Sequence, residues 1–213
     1  VGIIGSTGSS KSSLIQLIPR LYDVTAGEVR VGGHNVKDYK LDALRQQIGM
    51  VLQKNTLVTG TIASNMRWGN EEASDEEIIE ALKQAQAWEF VSKYPEGIHH
   101  EVEQSGSNFS GGQKQRLTIA RALIKRPKVL ILDDSTSAVD MSTDAKLRDS
   151  FRENIGDVTT IIIAQRISSI EDADTIIVMD HGMVESQGTH EELLEKSPIY
   201  REISETQERG LAG

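Results

Sequence analysis

The sequence has no cysteine, so neither a disulfide nor a thiolate metal site can staple it, a composition compatible with the cytosol. It also lacks long hydrophobic runs. Its apolar stretches, such as VLIL at residues 129–132 and IIIA at 161–164, are strand length, against the roughly 20 apolar residues that a membrane-spanning helix needs. Positive charge is in deficit, with 23 Lys and Arg against 32 Asp and Glu, a net charge of −9 and a pI near 5.1. That balance argues against broad binding to nucleic acid or to an anionic membrane, and confines any polyanion to one local site. Nucleic acid is therefore not an expected partner. The first residue is Val rather than Met and no targeting segment precedes the first apolar run, so the chain is expected to be a piece of a longer protein. The five histidines, His34, His99, His100, His181 and His190, are scattered in turns or polar segments, and none reads as a metal ligand. There is no internal repeat or low-complexity stretch, and 213 residues suffice for one domain with a real core.

What is present begins at once. Residues 1–13, VGIIGSTGSSKSS, give a short apolar strand, a turn of Gly, Ser and Thr, and then the start of a helix. That order makes a phosphate cradle: small residues let backbone N–H groups converge on an anion, and the helix points its positive end at the same place. In the pattern G-x-x-x-x-G-K-[ST], the backbone of Gly5, Ser6, Thr7, Gly8, Ser9, Ser10, Lys11, Ser12 and Ser13 would wrap the phosphates. Lys11 would reach the β- and γ-phosphates and the Ser12 hydroxyl would sit on Mg2+. Ser10 stands where the pattern has its second glycine, and its side chain crowds a loop that needs close backbone approach. Taken by itself, the stretch is equally an ordinary Ser/Gly-rich turn between a strand and a helix.

Further along, Leu14, Ile15, Leu17, Ile18 and Leu21 read as an apolar helix face that Pro19 kinks or ends. Residues 27–36, GEVRVGGHNV, read as a hairpin about a Gly-Gly turn. A short helix is expected at 41–47 and a buried strand at 48–52, ending at Gln53. Ser74 with Glu77 spells a capping box, and residues from about 60 to 105 read as largely helical. Ser110 with Gln113 spells a second box, opening a helix with Leu117, Ala120, Leu123 and Ile124 inside and Lys114, Arg116, Arg121, Lys125 and Arg126 outside; Pro127 stops it. An apolar strand at 129–132 ends in Asp133 and Asp134. A helix at 142–154, strands at 158–163 and 175–179, and a C-terminal helix started by Thr189 and Glu192 complete the pattern, with residues 205–213 expected to fray. Alternating strands and helices with continuously apolar strands predict an α/β fold with a mainly parallel sheet covered on both faces.

Two of these features carry chemistry. A carboxylate at the carboxyl end of a sheet strand, as at Asp133, can hold Mg2+ through water; the plain alternative is a solvated strand end. In FSGGQKQR, residues 109–116, the capping box needs Ser110 and Gln113 but not Gly111 and Gly112, each costing up to about 1 kcal/mol relative to Ala inside a helix. Glycines there suit the approach of something large and anionic to the helix start.

The phosphate loop, Gln53, FSGGQ, LILDD, the segment SAVD at residues 137–140 and the ending DHGMVESQGTHEELL occur in that order. Together they resemble the nucleotide-binding domain of an ABC transporter of the exporter type, and the likeness covers essentially the whole chain. The resemblance implies a P-loop NTPase fold of RecA-like type, with the core at about 1–58 and 127–213, a partial antiparallel β part at about 25–37 and a helical signature subdomain at about 59–126. It implies ATP and Mg2+ as ligands, with Ser12, Gln53 and Asp133 around the metal, and Gln53 linking the site to transmembrane domains. It also implies a second nucleotide-binding domain as partner, packed head to tail, whose ATP is served by Ser110, Gly111, Gly112 and Gln113.

Where the family has a catalytic glutamate and a switch histidine, this sequence has Asp134 and Gln165. An aspartate keeps the charge but draws it back by one methylene, and misplacement of about 1 Å can cost on the order of 100-fold in rate. A glutamine can hydrogen-bond a phosphate but cannot shuttle a proton as imidazole does. With Ser10, these departures describe a site that binds ATP and turns over poorly, beside an intact signature: the degenerate half of a heterodimeric exporter at the cytoplasmic face of a membrane. The family's adenine-stacking aromatic lies upstream of the sequence. The competing reading is a soluble ATPase of the same superfamily acting in DNA repair, translation or cluster assembly; a repair ATPase would be expected to carry a coiled-coil or zinc insertion, and none is present.

Overall fold

Strands and helices are interspersed along the chain. The structure, a computed structural model, describes residues 1–133, 140–154 and 157–211. In chain order the elements are β1 (Gly2–Gly5), α1 (Lys11–Gln16), β2 (Arg30–Val31), β3 (His34–Asn35), α2 (Leu41–Gln46), β4 (Ile48–Val51), β5 (Gly60–Thr61), α3 (Ile62–Arg67), α4 (Asp75–Gln84) and α5 (Trp88–Val91). There follow β6 (Glu101–Val102), α6 (Gly111–Leu123), β7 (Val129–Asp133), α7 (Met141–Asn154), β8 (Thr159–Ile163), β9 (Ile176–Asp180), β10 (Met183–Gly188), α8 (His190–Lys196) and α9 (Pro198–Leu211). They fall into two compact units, one of residues 1–45 with 160–213 and one of residues 46–159.

In the first unit β1 lies between two parallel neighbours, with Ile3 opposite Ile163 of β8 and Ile177 of β9. β10 turns back antiparallel along β9, from Met183 opposite Asp180 to Gly188 opposite Ile176. Covered on both faces, β1 needs no polar alternation, which is why it reads as a continuous apolar run. Ile4 packs with Ile167, Ile170, Ile176, Val178, Leu193 and Tyr200, all nearly inaccessible. The hairpin at 27–36 shrinks to two pairs, Arg30 with Asn35 and Val31 with His34. Its turn residues Gly32 and Gly33 have φ of 58° and 82°, the left-handed pair that a two-residue hairpin turn demands.

Two expectations for this unit are corrected. Pro19 does not end α1, which stops at Gln16; the turn beyond it is instead held by Arg45, whose guanidinium donates to the carbonyls of Pro19 and Arg20 at 3.1 and 3.0 Å. Nor does the tail fray at Glu205, since α9 continues to Leu211. It is anchored by buried Ser204 and by Gln207, which accepts from the Ile167 N–H at 2.9 Å and donates to the Gln165 carbonyl at 2.7 Å.

In the second unit β4 and β7 pair in parallel, from Ile48 opposite Val129 to Val51 opposite Leu132. Helix α4 buries Ile78, Ala81 and Leu82, and α6 buries Leu117, Ile119, Ala120 and Leu123. Across the chain, α3, α4, α6 and α8 each begin with a reciprocal cap, Thr61 with Ser64, Ser74 with Glu77, Ser110 with Gln113 and Thr189 with Glu192. Each satisfies donors that a helix start otherwise leaves open. Among the described residues no helix is long and apolar enough to cross a membrane.

Candidate functional site

β1 delivers the chain to Gly5, which lies beside Met179 of β9; a Cβ at residue 5 would collide with the Met179 carbonyl oxygen. Only glycine permits that approach. The chain then reverses, with the Ser9 N–H donating to the Ser6 carbonyl at 3.2 Å, and passes through Gly8 at φ 82° and Ser10 at φ 69°. Both lie in the left-handed region, which glycine enters freely and serine at a cost of about 1 kcal/mol or more. Lys11 opens α1 and folds back over the turn. Its ammonium donates to the carbonyls of Gly5 and Ser6, both at 2.8 Å, and to the Ser9 hydroxyl at 3.2 Å. Ser9 is buried, whereas Ser6, Thr7, Gly8, Ser10, Ser12 and Ser13 are exposed. A cleft of about 490 Å³ adjoins Ser10 and Ser13, walled by Leu17, Tyr22, Met179 and Gly182. Gln165 belongs to this unit. β8 ends at Ile163 beside β1, the Ala164 N–H donates to the Ile3 carbonyl at 3.1 Å, and the exposed Gln165 follows.

In the second unit Asp133 closes β7 and is 5% exposed. With Val51 opposite Leu132, Asp133 ends β7 and Gln53 lies just past the end of β4, its parallel neighbour. Asp134 and residues 135–139, hence most of SAVD, lie outside the described residues. Asp140 precedes α7, where its carboxylate accepts from the Thr143 N–H at 2.9 Å and the Thr143 hydroxyl at 2.8 Å. Those bonds, the backbone one foremost, hold its carboxyl below the usual range.

The start of α6 is built from both sides. The Ser110 hydroxyl accepts from the Gln113 N–H at 3.3 Å, and the Gln113 side chain accepts from the Ser110 N–H at 2.9 Å. Gly111 is exposed and Gly112 half-buried. Phe109, just before the cap, is buried with its ring edge-on to Phe90 and Tyr94, which fixes how the chain enters the helix. The basic residues of α6 and of the turn after it do not simply point outward, contrary to expectation. Arg116 lies over the Phe90 ring at 4.9 Å and donates to the Gln86 carbonyl at 2.8 Å. Lys114, Arg121 and Lys125 donate to the carbonyls of Ser105, Thr56 and Ile48, while Arg126 pairs with Glu77. Asn55, two residues after Gln53, accepts from the Thr118 hydroxyl at 2.9 Å. A contact between positions 63 residues apart has no signal in the sequence.

A strand, a glycine-bearing loop and a helix at the carboxyl edge of a parallel sheet, with an acidic strand end elsewhere in the chain, define a nucleotide-handling α/β protein. The ABC transporter family model matches residues 1–137. The chain therefore belongs to the family of ABC transporter ATP-binding domains, and its fold is the P-loop ATPase fold of that family. It is 48% identical over 208 residues to an uncharacterized ABC transporter ATP-binding protein of Mycobacterium bovis, covering 96% of this chain and 35% of that one. It is 43% identical over 203 residues to a Staphylococcus aureus protein provisionally named a multidrug export ATP-binding/permease protein, covering 95% and 35%. Among solved structures, a bacterial Atm1-family ABC exporter with ATP bound superposes with a TM-score of 0.93 at 36% identity, covering 97% of this chain and 36% of that one. The chain thus spans about a third of the length of the curated relatives it matches.

Proposed function

We propose that this chain is the ATP-binding domain of a membrane exporter, lying at the cytoplasmic face beside transmembrane domains. It binds Mg-ATP at a slow site of its own and completes a faster site on a different partner chain, packed head to tail. The observation that carries this reading is the contrast between two loops. Ser10 holds a left-handed conformation where glycine would be unstrained, while the start of α6 keeps a complete cap and two glycines. In the own site, the loop from Gly5 to Ser13 binds phosphate. Asp134 and Gln165 hold the attacking water and the γ-phosphate less well than the longer carboxylate and the imidazole that the family uses. Ser12, Gln53 and Asp133 each carry an oxygen, of a hydroxyl, an amide and a carboxylate, of the hard type that Mg2+ takes. Bound there, Mg2+ would offset phosphate charge. Toward the partner, the Ser110 hydroxyl, the N–H groups of Gly111 and Gly112 and the positive helix end face the γ-phosphate, and ATP-driven closure of the pair powers transport.

The decisive comparison is between two variants of the assembled exporter. Gly111→Asp places a carboxylate where the partner's phosphate must come and is expected to abolish most ATPase activity and transport. Lys11→Ala in the same chain is expected to leave a sizeable fraction. A folded Gly111→Asp heterodimer with near-normal turnover defeats the cross-chain role, and equal losses from both variants defeat the asymmetry.

A further inference from the structure

Helix α9 presents Ile199, Tyr200 and Ile203 to the first unit's core. At helical spacing the next position of that stripe is 207, where a helix that merely docks would carry another apolar residue. It carries glutamine instead. The Gln207 amide reaches the loop after β8 at two points, accepting from the Ile167 N–H at 2.9 Å and donating to the Gln165 carbonyl at 2.7 Å. A planar amide can give and take at once, from two atoms set apart. An ionised glutamate only accepts, and a lysine only donates. Ile167 is itself 5% exposed, so one end of the clamped segment is fixed in the core while the other carries the exposed Gln165.

We propose that Gln207 is a positioning residue for Gln165: the clamp sets the backbone from which the Gln165 side chain addresses the γ-phosphate, so that α9 tunes how the site tells ATP from ADP. This deepens the reading above and rests on Gln165 facing that phosphate. A clamp that only staples the helix down would affect stability and leave nucleotide preference unchanged.

The test uses the 213-residue chain, with equilibrium binding of Mg-ATP and Mg-ADP and a melting temperature for each variant. Gln207→Leu keeps the volume and the apolar stripe while removing both bonds. It is expected to reduce the ATP-over-ADP preference at least about threefold, the scale of one ordinary hydrogen bond. Gln165→Ala should shift the preference in the same direction, and Gln207→Leu should add little in that background. Gln207→Glu retains the acceptor for Ile167 and loses the donor to Gln165, so it should fall between, and it serves if the leucine variant does not fold. A preference changed by Gln165→Ala but untouched by both Gln207 variants overturns the positioning role alone. A preference that Gln165→Ala leaves unchanged overturns the placement of Gln165 at the phosphate, and the positioning role with it.

Discussion

Ser10 bears a left-handed backbone that costs a serine about 1 kcal/mol. Ser10→Gly is accordingly expected to raise the unfolding free energy by about 0.5–1 kcal/mol in urea titrations, part of the relief being returned as the greater freedom of glycine in the unfolded chain. The same change should tighten ATP binding. Gly5→Ala goes the other way: its Cβ meets the Met179 carbonyl, a backbone atom that cannot swing aside, and a loss of at least about 2 kcal/mol is expected. The departure at residue 10 was legible in the sequence, because the motif specifies which residue belongs there. The posture of Lys11 was not. A motif gives its destination on a nucleotide, whereas its bonds to Gly5, Ser6 and Ser9 depend on where the turn puts those oxygens.

At the scale of elements, the helix starts show what spacing can and cannot reveal. Ser74 with Glu77 and Ser110 with Gln113 are spelled out as capping boxes and Thr189 with Glu192 as a helix start, and all three are reciprocal caps. Thr61 with Ser64 is not legible in the sequence, because a serine closes that box in place of Glu or Gln. Periodicity gives the direction in which a side chain leaves a helix but not where a long one ends, so the pattern points Arg116, Arg121 and Lys125 outward although their heads fold onto neighbouring carbonyls. Ser110→Ala is expected to lower the unfolding free energy by about 1 kcal/mol, since one N–H loses its acceptor at the start of α6. Ser110→Asp, which keeps an acceptor there, should lose much less in the same denaturation experiment. The expected fraying of the tail fails for a related reason. Its polar sequence gives no hint that Gln207 finds partners about 40 residues back along the chain.

For the whole molecule, Tyr200 is the group whose ionisation threatens the fold. Its ring is fully buried, its hydroxyl lies 2.8 Å from His190 Nδ1, and burial, with the charges of Glu171 and Glu191, pushes its pKa up to about 12. The folded value lies above the unfolded value of about 10. The protonated ring therefore contributes its full stability below pH 10 and loses it as pH rises toward 12, because the unfolded chain releases the proton first. Urea midpoints across that window should fall in the parent chain and much less in Tyr200→Phe, which starts lower for want of the His190 bond.

The strand that carries the phosphate loop is made long before the strands that flank it. Both neighbours of β1 are distant, with Gly2 opposite Ile162 and Ile176, while residues 46–159 form a continuous unit. As a ribosome releases the chain, the middle can close on its own contacts while β1 waits unpaired, because domains generally fold as units and long-range parallel pairing is slow. The nucleotide loop therefore takes its final shape only after β8 and β9 have been made, and an apolar strand stands open to chaperones or to misfolding until then.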